Sequence, residues 1–588
     1  MYLSSLKKDG KVIPRILVFN TFVKKQHPQL HFERQQKLLN DQEKNDLTPE
    51  LSGDIVVDTL RNTFQLQHFR DNQREIIDKI LSGCDVFVKM PTGSGKTLCF
   101  AIPAVISAGI TLVIVPFNAL MADLNQRFNK HHILTKSFNQ FTTDDELSQV
   151  LHDLNSLSPS IKILITTPES IKKPAVQMAL QGLNERKLLS RVIIDEVHCL
   201  SEASDQFRPE YLELNKLKDL FPRIQLVMLT ATASDETLSF ILDYMKATNC
   251  TVFRIPVTRT NITYKVFLAP KKKQTTYEHI KEYIIKNFSN MCGIVYCNTP
   301  TEVLDLSYIL SNGYQNQLSV SKYSGSQGDM DIFEKQKELA HWLEGKTKIL
   351  VSTKAAGTGL DKNNVRFVIN CGLPNSVEEY YQQTGRCGRD GLNSEAIMFF
   401  RPEDRGLHIK HIGQETTEFR QLSALRRLHS ICQYAEMHGC RKQFLSQYFS
   451  DPDTGVCQNQ CDYCLAPLNL VEVQVNIHTQ NIVGIIQSFC LQGKKPTFDN
   501  VTLVFRGANN AYAKKENLHL FQNYGKGKGF FTDNQCKALI RYLVWCDFIK
   551  ENIMILNKFS SSYLSLTTKG QNLLQGSYNQ PIIWKQAK

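Results

Sequence analysis

The chain has 588 residues, of which 42% are hydrophobic and 21% are charged. This composition is that of ordinary globular proteins and excludes a mainly disordered, collagen-like or coiled-coil chain. The formal net charge is +12, and residues 465–588 contain 14 lysines and arginines against 6 aspartates and glutamates. A basic end module fits a polyanionic partner, although charge alone fits an ordinary solvated surface equally well.

Residues 1–53 are polar and charged with little periodicity, and we expect them to form an N-terminal extension. The first ten residues contain no apolar core of a secretory signal. Residues 97–122 carry no charge and are long enough to span a bilayer, but prolines and glycine interrupt them, so a buried strand is favoured over a membrane segment. Of the sixteen cysteines, twelve are scattered and are expected to be reduced, buried thiols.

Short apolar runs, each followed by a helical pattern, recur along the middle of the chain. In the first half the runs lie at residues 85–91, 111–116, 162–168, 191–197 and 225–232. The pattern restarts with runs at residues 293–299, 348–353 and 365–371. Apolar runs that alternate with helices are typical of a parallel α/β sheet. The sequence therefore predicts two α/β lobes in tandem.

The strongest motif is MPTGSGKT at residues 90–97, directly after the first predicted strand. It fits the phosphate-binding loop G-x-x-x-x-G-K-[ST], with Met90 in place of the first glycine. Glycines at this spacing let backbone N–H groups surround phosphates, while Lys96 reaches the β- and γ-phosphates and Thr97 binds Mg²⁺. The nucleotide-binding residues predicted here are Thr92, Gly93, Ser94, Gly95, Lys96 and Thr97.

An acidic motif, DEVH, follows about one hundred residues later at positions 195–198. An acid at the end of a buried strand is costly unless it binds a cation, which suits Asp195 as a Mg²⁺ ligand. Glu196 is then placed to orient or deprotonate an attacking water. Alone, the motif would better fit an exposed acidic turn. Its combination with a phosphate loop on the same predicted sheet favours catalysis.

The second lobe contains QQTGRCGRD at residues 382–390. We expect Arg386 and Arg389 to share one helix face and to supply positive charge to a transferring phosphoryl group. In isolation, a surface salt-bridge pair would be the better interpretation. Because the second lobe has no phosphate loop of its own, it makes most sense if it completes the site of the first.

Four clustered cysteines, Cys440, Cys457, Cys461 and Cys464, end in the tight spacing C-x3-C-x2-C. Four thiolates at such spacing match a tetrahedral zinc site, and an iron–sulfur cluster is the alternative. A long first gap that contains a predicted helix, without any redox partner motif, favours structural zinc. Four unliganded cysteines would be the third interpretation.

In their order along the chain, these motifs resemble those of RecQ-type DNA helicases, which are superfamily-two motors. The resemblance spans roughly residues 54–574 and includes FQLQHFRDNQ (64–73), VPFNALMADL (115–124), TTPES (166–170), TAT (230–232) and AAGTGLDKNNVRFV (355–368). The cysteine block resembles the family's zinc-binding helical hairpin. LIRYLVWCDFIKENI at residues 539–553 resembles a helix that enters the wing of its winged-helix domain.

The resemblance implies a fold and a domain order. It implies an α/β protein with two tandem RecA-like lobes at 54–256 and 257–415, a helical zinc-binding subdomain at 416–468, a winged-helix domain at 469–580 and a tail at 581–588. It also assigns site residues. Arg70 and Gln73 would bind ATP, with Gln73 on adenine, Phe207 and Arg208 would contact DNA, and Asn557 and Phe559 would lie at the hairpin tip that parts strands. For Phe559, strand parting and packing are evenly matched, whereas the alternation in YLSL favours a core position for Tyr563.

The sequence departs from the family pattern at two places. Gln65 stands where the family usually has glycine. In the aromatic-rich loop after DEVH, Ala203 replaces the usual tryptophan and Asp205 the usual histidine, whereas Phe207 and Arg208 are kept. Since that loop senses single-stranded DNA in the family, and base stacking is worth roughly 1–3 kcal/mol, weakened coupling of DNA to hydrolysis is expected.

The resemblance implies an ATP-dependent 3′–5′ DNA helicase that uses ATP, Mg²⁺ and Zn²⁺, acts on single-stranded and duplex DNA, and serves DNA repair or recombination. The altered loop supports an alternative, an ATP-dependent DNA-binding or annealing factor with weak unwinding. An RNA helicase is a third possibility that the cysteine block disfavours. The expected location is nuclear in a eukaryote and cytoplasmic otherwise.

Overall fold

The computed structural model describes residues 52–116, 118–200, 209–312, 318–325, 331–354, 362–415, 417–451, 457–467, 470–556 and 559–587. Over these ranges, none of the helices combines the length and the apolar character that crossing a bilayer requires.

The first lobe is built around a parallel sheet of seven strands. They are β1 (Val86–Lys89), β2 (Ile110–Ile114), β3 (Thr135–Phe138), β4 (Ile163–Thr166), β5 (Leu189–Ile194), β6 (Gln225–Thr230) and β7 (Thr251–Arg254). Their order is β3-β4-β2-β5-β6-β1-β7. The five apolar runs predicted as strands are confirmed as β1, β2, β4, β5 and β6. Sequence reasoning missed β3 and β7 because these edge strands are partly exposed and lack a continuous apolar run.

Helices cover both faces of this sheet. They are α1 (Ile55–Asn62), α2 (Gln73–Leu81), α3 (Lys96–Ile106), α4 (Asn118–Lys130), α5 (Asp144–Asn155), α6 (Pro168–Ile171), α7 (Pro174–Glu185), a 3₁₀ helix (Pro209–Lys216), α8 (Leu217–Leu220) and α9 (Asp235–Tyr244). The uncharged stretch at residues 97–122 is divided among α3, β2 and the start of α4. Its apolar residues form part of the core, as the buried-strand interpretation predicts.

The second lobe contains a parallel sheet of six strands, β8 (Ile262–Leu268), β9 (Cys292–Cys297), β10 (Val320–Tyr323), β11 (Ile349–Ser352), β12 (Val365–Cys371) and β13 (Ser394–Phe400). Their order is β10-β11-β9-β12-β13-β8. Its helices are α10 (Lys273–Phe288), α11 (Pro300–Ser311), α12 (Ile332–Leu343), α13 (Val377–Thr384), a 3₁₀ turn (Pro402–Asp404) and α14 (Arg405–Ile412). The prediction of two parallel α/β lobes in tandem is confirmed.

A small helical subdomain follows, with helices α15 (Glu418–Glu436), α16 (Arg441–Tyr448) and α17 (Asp462–Leu465). It is fastened to the edge strand β8 of the second lobe. The backbone N–H of Tyr264 donates to the Gln460 carbonyl at 3.1 Å, and that of Val266 donates to Asp462 Oδ2 at 3.1 Å. Its apolar residues belong to the same core as the second lobe. The subdomain and the second lobe therefore pack as one unit.

The last part of the chain has a winged-helix arrangement. It comprises β14 (Leu470–Gln474), α18 (Asn476–Leu491), α19 (Phe498–Arg506), α20 (Ala511–Lys515), a 3₁₀ turn (Leu518–Leu520), α21 (Asp533–Trp545), β15 (Ile549–Leu556), β16 (Phe559–Leu566), α22 (Thr568–Leu574) and β17 (Ile583–Ala587). As predicted, a helix leads into the wing, which is the antiparallel pair β15–β16. Residues 583–587 differ from the expected tail, since β17 pairs with β14 and closes the domain.

The wing is docked against the second lobe. Glu551 on β15, whose side chain is fully buried, accepts hydrogen bonds from Arg405 on α14 and from His429 on α15, the latter at 2.7 Å. The expected core position of Tyr563 is wrong. Strand alternation directs Leu564 into the core, which leaves Tyr563 half-buried with the Lys495 ammonium 4.8 Å from its ring centroid.

Candidate active site

The phosphate loop joins β1 to α3 at the carboxyl end of the parallel sheet. Gly93 and Gly95 have φ of +79° and +94°, which side chains rarely tolerate, and Gly95 caps α3. Lys96 and Thr97 are the first residues of α3, so the positive end of its dipole faces the loop. The Lys96 Nζ donates to the Met90 carbonyl at 3.2 Å across the loop. Together these features form an anion cradle.

Arg70 and Gln73 lie against this loop. Gln73 is the first residue of α2 and is buried, and its Nε2 donates to the Gly95 carbonyl at 3.1 Å. Its Oε1 accepts from the backbone N–H of Arg70 at 2.8 Å, and the Arg70 guanidinium donates to the Gly93 carbonyl. The two residues that the resemblance assigns to ATP are thus hydrogen-bonded to each other and to the phosphate loop.

Asp195 and Glu196 lie directly after β5, on the same edge of the sheet as the phosphate loop. Burial and the neighbouring Glu196 raise the pKa of Asp195 to about 6, so its negative charge carries an energetic cost that a bound cation would offset. Burial would also raise the pKa of Glu196, but the Lys96 ammonium and a contact with His198 outweigh it and lower that pKa. Thr97 and Asp195 carry oxygen atoms of the kind that Mg²⁺ prefers as ligands.

The arginine motif is not helical, which corrects the expectation of a shared helix face. Helix α13 ends at Thr384, and Gly388, four residues beyond this end, has a left-handed φ of +62°. Arg386 and Arg389 therefore lie in a loop, residues 385–392, which we call the arginine loop. This loop meets the phosphate loop: a Cβ placed on Gly385 would lie 3.0 Å from Thr92 Cβ, and one on Gly93 would lie 2.9 Å from Arg389 Cγ.

The segment that enters the second lobe braces the arginine loop. Arg259 Nη1 donates to the Cys387 carbonyl at 3.1 Å, and Asn261 Nδ2 donates to the Gly388 carbonyl at 2.8 Å. The site residues of both lobes line one cleft of about 1240 Å³. A cleft of this size holds a nucleotide.

His198 connects the two lobes, a role that sequence reasoning missed. The Thr230 hydroxyl donates its only proton to the Thr232 carbonyl. Its oxygen, Oγ1, therefore accepts a hydrogen bond from Nδ1–H of His198, at a distance of 2.9 Å. The other ring nitrogen, Nε2, then accepts from the Gln382 amide at 3.3 Å. His198 is the last residue of the DEVH motif, and Gln382 is the first residue of QQTGRCGRD. Their positions close to predicted catalytic residues were the sequence signal that could have indicated this role.

The four clustered cysteines converge in space. Their sulfur atoms all lie within 4.8 Å of one another, and those of Cys440 and Cys461 are 4.0 Å apart. The backbone N–H groups of Gln443 and Cys464 donate to the sulfurs of Cys440 and Cys461, which stabilises thiolates. Tetrahedral zinc with Zn–S bonds of about 2.3 Å needs sulfurs about 3.8 Å apart, so the cluster fits zinc.

The predicted DNA contacts are not brought together here. Phe207, Arg208 and Asn557 lie outside the described residues, as do Ala203 and Asp205. Phe559 is the first residue of β16 and so begins the second strand of the wing.

The chain matches four family models. They are DEAD/DEAH box helicase over residues 70–240, helicase conserved C-terminal domain over 275–391, RecQ zinc-binding over 402–465 and RQC domain over 471–584. Among solved structures, the DUF1998 helicase MrfA bound to DNA and AMPPNP is similar with a TM-score of 0.50. It shares 18% identity over 66% of this chain and 56% of that one, which is a likeness of fold alone.

Curated relatives cover most of this chain. The ATP-dependent DNA helicase hus2/rqh1 of Schizosaccharomyces pombe is 33% identical over 499 residues, and the RecQ-like DNA helicase BLM of Xenopus laevis is 32% identical over 535. These matches cover 83% and 87% of this chain but 36% and 38% of those proteins, so the chain spans well under half of their length.

A bacterial relative is matched over most of its own length. The ATP-dependent DNA helicase RecQ of Pasteurella multocida is 32% identical over 528 residues, which is 90% of this chain and 79% of that protein. The motor, zinc-binding and RQC matches follow one another along this chain without overlap. With a nucleotide cleft between two lobes and a cysteine cluster ahead of the winged helix, the chain belongs to the RecQ family of ATP-dependent DNA helicases.

Proposed function

We propose that this protein is a DNA-stimulated ATPase that moves 3′ to 5′ along single-stranded DNA and unwinds duplexes. The observation that carries the proposal is the meeting of Arg389 with Gly93, since it joins the second lobe to the phosphate loop of the first. A site divided between two lobes can turn ATP binding and release into closing and opening of a cleft.

The chemistry would be divided among residues of both lobes. Lys96 holds the β- and γ-phosphates, Glu196 orients the attacking water, and Arg386 and Arg389 stabilise the charge that develops on the transferring phosphoryl group. Bound by Thr97 and Asp195, Mg²⁺ would neutralise phosphate charge. Gln73 would bind the base of ATP, and its hydrogen bond to Gly95 would report base occupancy to the phosphate loop.

DNA binding would involve parts of the chain beyond the cleft. Phe207 and Arg208 would contact the single strand, mostly through phosphate and stacking, and binding should therefore weaken with salt. Asn557 and Phe559 at the wing would meet the duplex. Zinc held by the four cysteines would stabilise the subdomain between motor and wing. Repair or recombination, in the nucleus of a eukaryote or the cytoplasm of a bacterium, is the role proposed from the family.

The deciding experiment measures ATP hydrolysis with and without single-stranded DNA, together with displacement of strands from 3′-tailed DNA, 5′-tailed DNA and RNA duplexes. Lys96→Ala serves as the inactive variant, and Lys130→Ala, an exposed lysine on α4, as the matched control. We expect DNA to stimulate the wild type and the control, with unwinding of 3′-tailed DNA only.

Other outcomes would change the proposed function or the assignment of its site. ATP hydrolysis that DNA does not change, with binding but no unwinding, would favour the DNA-binding or annealing alternative that the altered loop suggests. Unwinding of RNA alone would contradict a DNA helicase. Turnover by Lys96→Ala near the wild-type rate would overturn the nucleotide site.

A further inference from the structure

Lys89 is the last residue of β1 and directly precedes the phosphate loop. A lysine in a strand that is buried on both faces is costly unless its charge is paired. The Lys89 side chain is 3% exposed, and its Nζ lies 3.0 Å from Asp451 Oδ1 and also donates to the Phe449 carbonyl. Both partners belong to the zinc-binding subdomain, which packs with the second lobe. This ion pair therefore crosses between the two lobes.

The other oxygen of Asp451 holds the segment that connects the lobes. Asp451 Oδ2 accepts the backbone N–H of Val257 at 2.7 Å, and the Val257 carbonyl accepts from the Tyr381 hydroxyl of α13 at 2.8 Å. From Val257 the chain runs directly to Arg259 and Asn261, which brace the arginine loop. Asp451 thus bridges the strand before the phosphate loop and the segment behind the arginine loop.

We infer that the Lys89–Asp451 pair is a positioning contact that sets the arginine loop over the phosphate loop. The inference rests on the proposed ATPase function and adds residues that touch neither ATP nor DNA. The contacts connect the two loops in a ring. On one side they run from the phosphate loop through Lys89, Asp451 and the connecting segment to the arginine loop. On the other side Arg389 of the arginine loop contacts Gly93 of the phosphate loop directly. Without the ion pair, the arginine loop is no longer held in a fixed position relative to the phosphate loop.

The experiment uses the full chain with the pair replaced on both sides, Lys89→Met with Asp451→Asn. Replacing one partner alone would leave a buried, uncompensated charge and confound the result with unfolding. Asparagine still accepts the Val257 N–H, so only the link to β1 is lost. The matched control is the equivalent double replacement, Lys218→Met with Asp85→Asn, because these residues pair at 2.8 Å near the other end of β1 and both lie in the first lobe. Asparagine at position 85 still accepts the Leu226 N–H.

The Lys89→Met/Asp451→Asn variant is expected to lower kcat for ATP at least about 10-fold, while its affinity for a fluorescent ADP analogue stays within about twofold of wild type. In an Arg389→Ala background, Lys89→Met with Asp451→Asn should lower kcat by a smaller factor than in the wild-type background, because part of its effect passes through that arginine. The Lys218→Met/Asp85→Asn control should leave kcat unchanged. An equal fold-loss in both backgrounds, or a loss confined to ADP affinity, would overturn the inference.

A second readout does not depend on hydrolysis. Amide hydrogen exchange in residues 385–392 should be at least about 10-fold faster in the Lys89→Met/Asp451→Asn variant than in wild type or in the Lys218→Met/Asp85→Asn control. If the wild type hydrolyses no ATP, the proposed function fails, and exchange still decides the positioning role. Unchanged exchange in this segment would refute that role even in an active enzyme.

Discussion

Arg389 lies directly over Gly93: a methyl group on Gly93 would approach Arg389 Cγ to 2.9 Å, so the phosphate loop and the arginine loop are in contact. The contact is between lobes and forms at a glycine whose φ of +79° excludes most side chains. It brings a positively charged guanidinium group beside the phosphate loop.

Arg389→Ala is therefore expected to lower kcat for ATP by roughly 10³-fold with little change in ADP affinity, since an arginine finger acts on the transition state. Steady-state hydrolysis and a fluorescent ADP titration measure the two quantities. Arg223→Ala, an arginine outside the cleft, should behave as wild type. A rise in KM with unchanged kcat would mean that Arg389 only binds substrate.

Cys461→Ser is expected to lower the zinc content of the purified protein and its yield together, because a ligand lost from a structural zinc site removes folding free energy. Metal analysis of purified protein gives the zinc-to-protein ratio. Cys490→Ser provides the control, since Cys490 is an exposed cysteine outside the cluster. A zinc-free Cys461→Ser protein with normal yield and melting temperature would show that the cluster does not stabilise the fold.

Gln65→Gly is expected to stabilise the protein by about 0.5 kcal/mol. Gln65 has φ of +56°, a conformation that costs an L-residue about 1 kcal/mol and that glycine adopts without this cost. Part of the stabilisation is lost again, because glycine has more conformational entropy in the unfolded chain. Gln65→Ala keeps the Cβ and should bring no gain. Melting temperatures compare the three proteins, and equal values for the glycine and alanine variants would contradict this explanation.

Glu551→Gln is expected to destabilise the chain by about 3 kcal/mol at pH 7, because the largely buried Arg405 guanidinium and the partly buried His429 are left beside a neutral group. Burial favours the neutral form of Glu551, but the Arg405 charge and the His429 hydrogen bond outweigh it and hold its pKa well below the usual range. A lowered pKa stabilises the fold above the unfolded-state value of about 4.3, and this stabilisation declines as pH falls towards the folded-state value.

The difference in urea midpoint between wild type and Glu551→Gln should therefore be largest near pH 7 and narrow steadily below about pH 4.3. Glu472→Gln is the matched control, because Glu472 pairs with Lys585 on an exposed surface and should change the midpoint little. A difference that stays constant from pH 7 to pH 3 would show that the Glu551 charge does not stabilise the docked wing.

Much of the architecture could be predicted because its signals are local. A strand buried between helices must be apolar along most of its length, which made β1, β2, β4, β5 and β6 recognisable. A phosphate loop needs glycines followed by a lysine, here Lys96, so its sequence is recognisable in any fold. The edge strands β3 and β7 have a weaker sequence signal, because they are partly exposed to solvent and can therefore contain polar residues. The strand β17 was missed because its partner, β14, lies over one hundred residues away.

The amino-acid sequence by itself determined the family, the order of the modules, and the residue types that bind phosphate and zinc, since each depends on neighbours within a few positions. Only the tertiary structure decided that Arg389 meets Gly93 and that Lys89 pairs with Asp451. Those contacts join residues hundreds of positions apart. Their geometry depends on how two lobes pack, which no local pattern encodes.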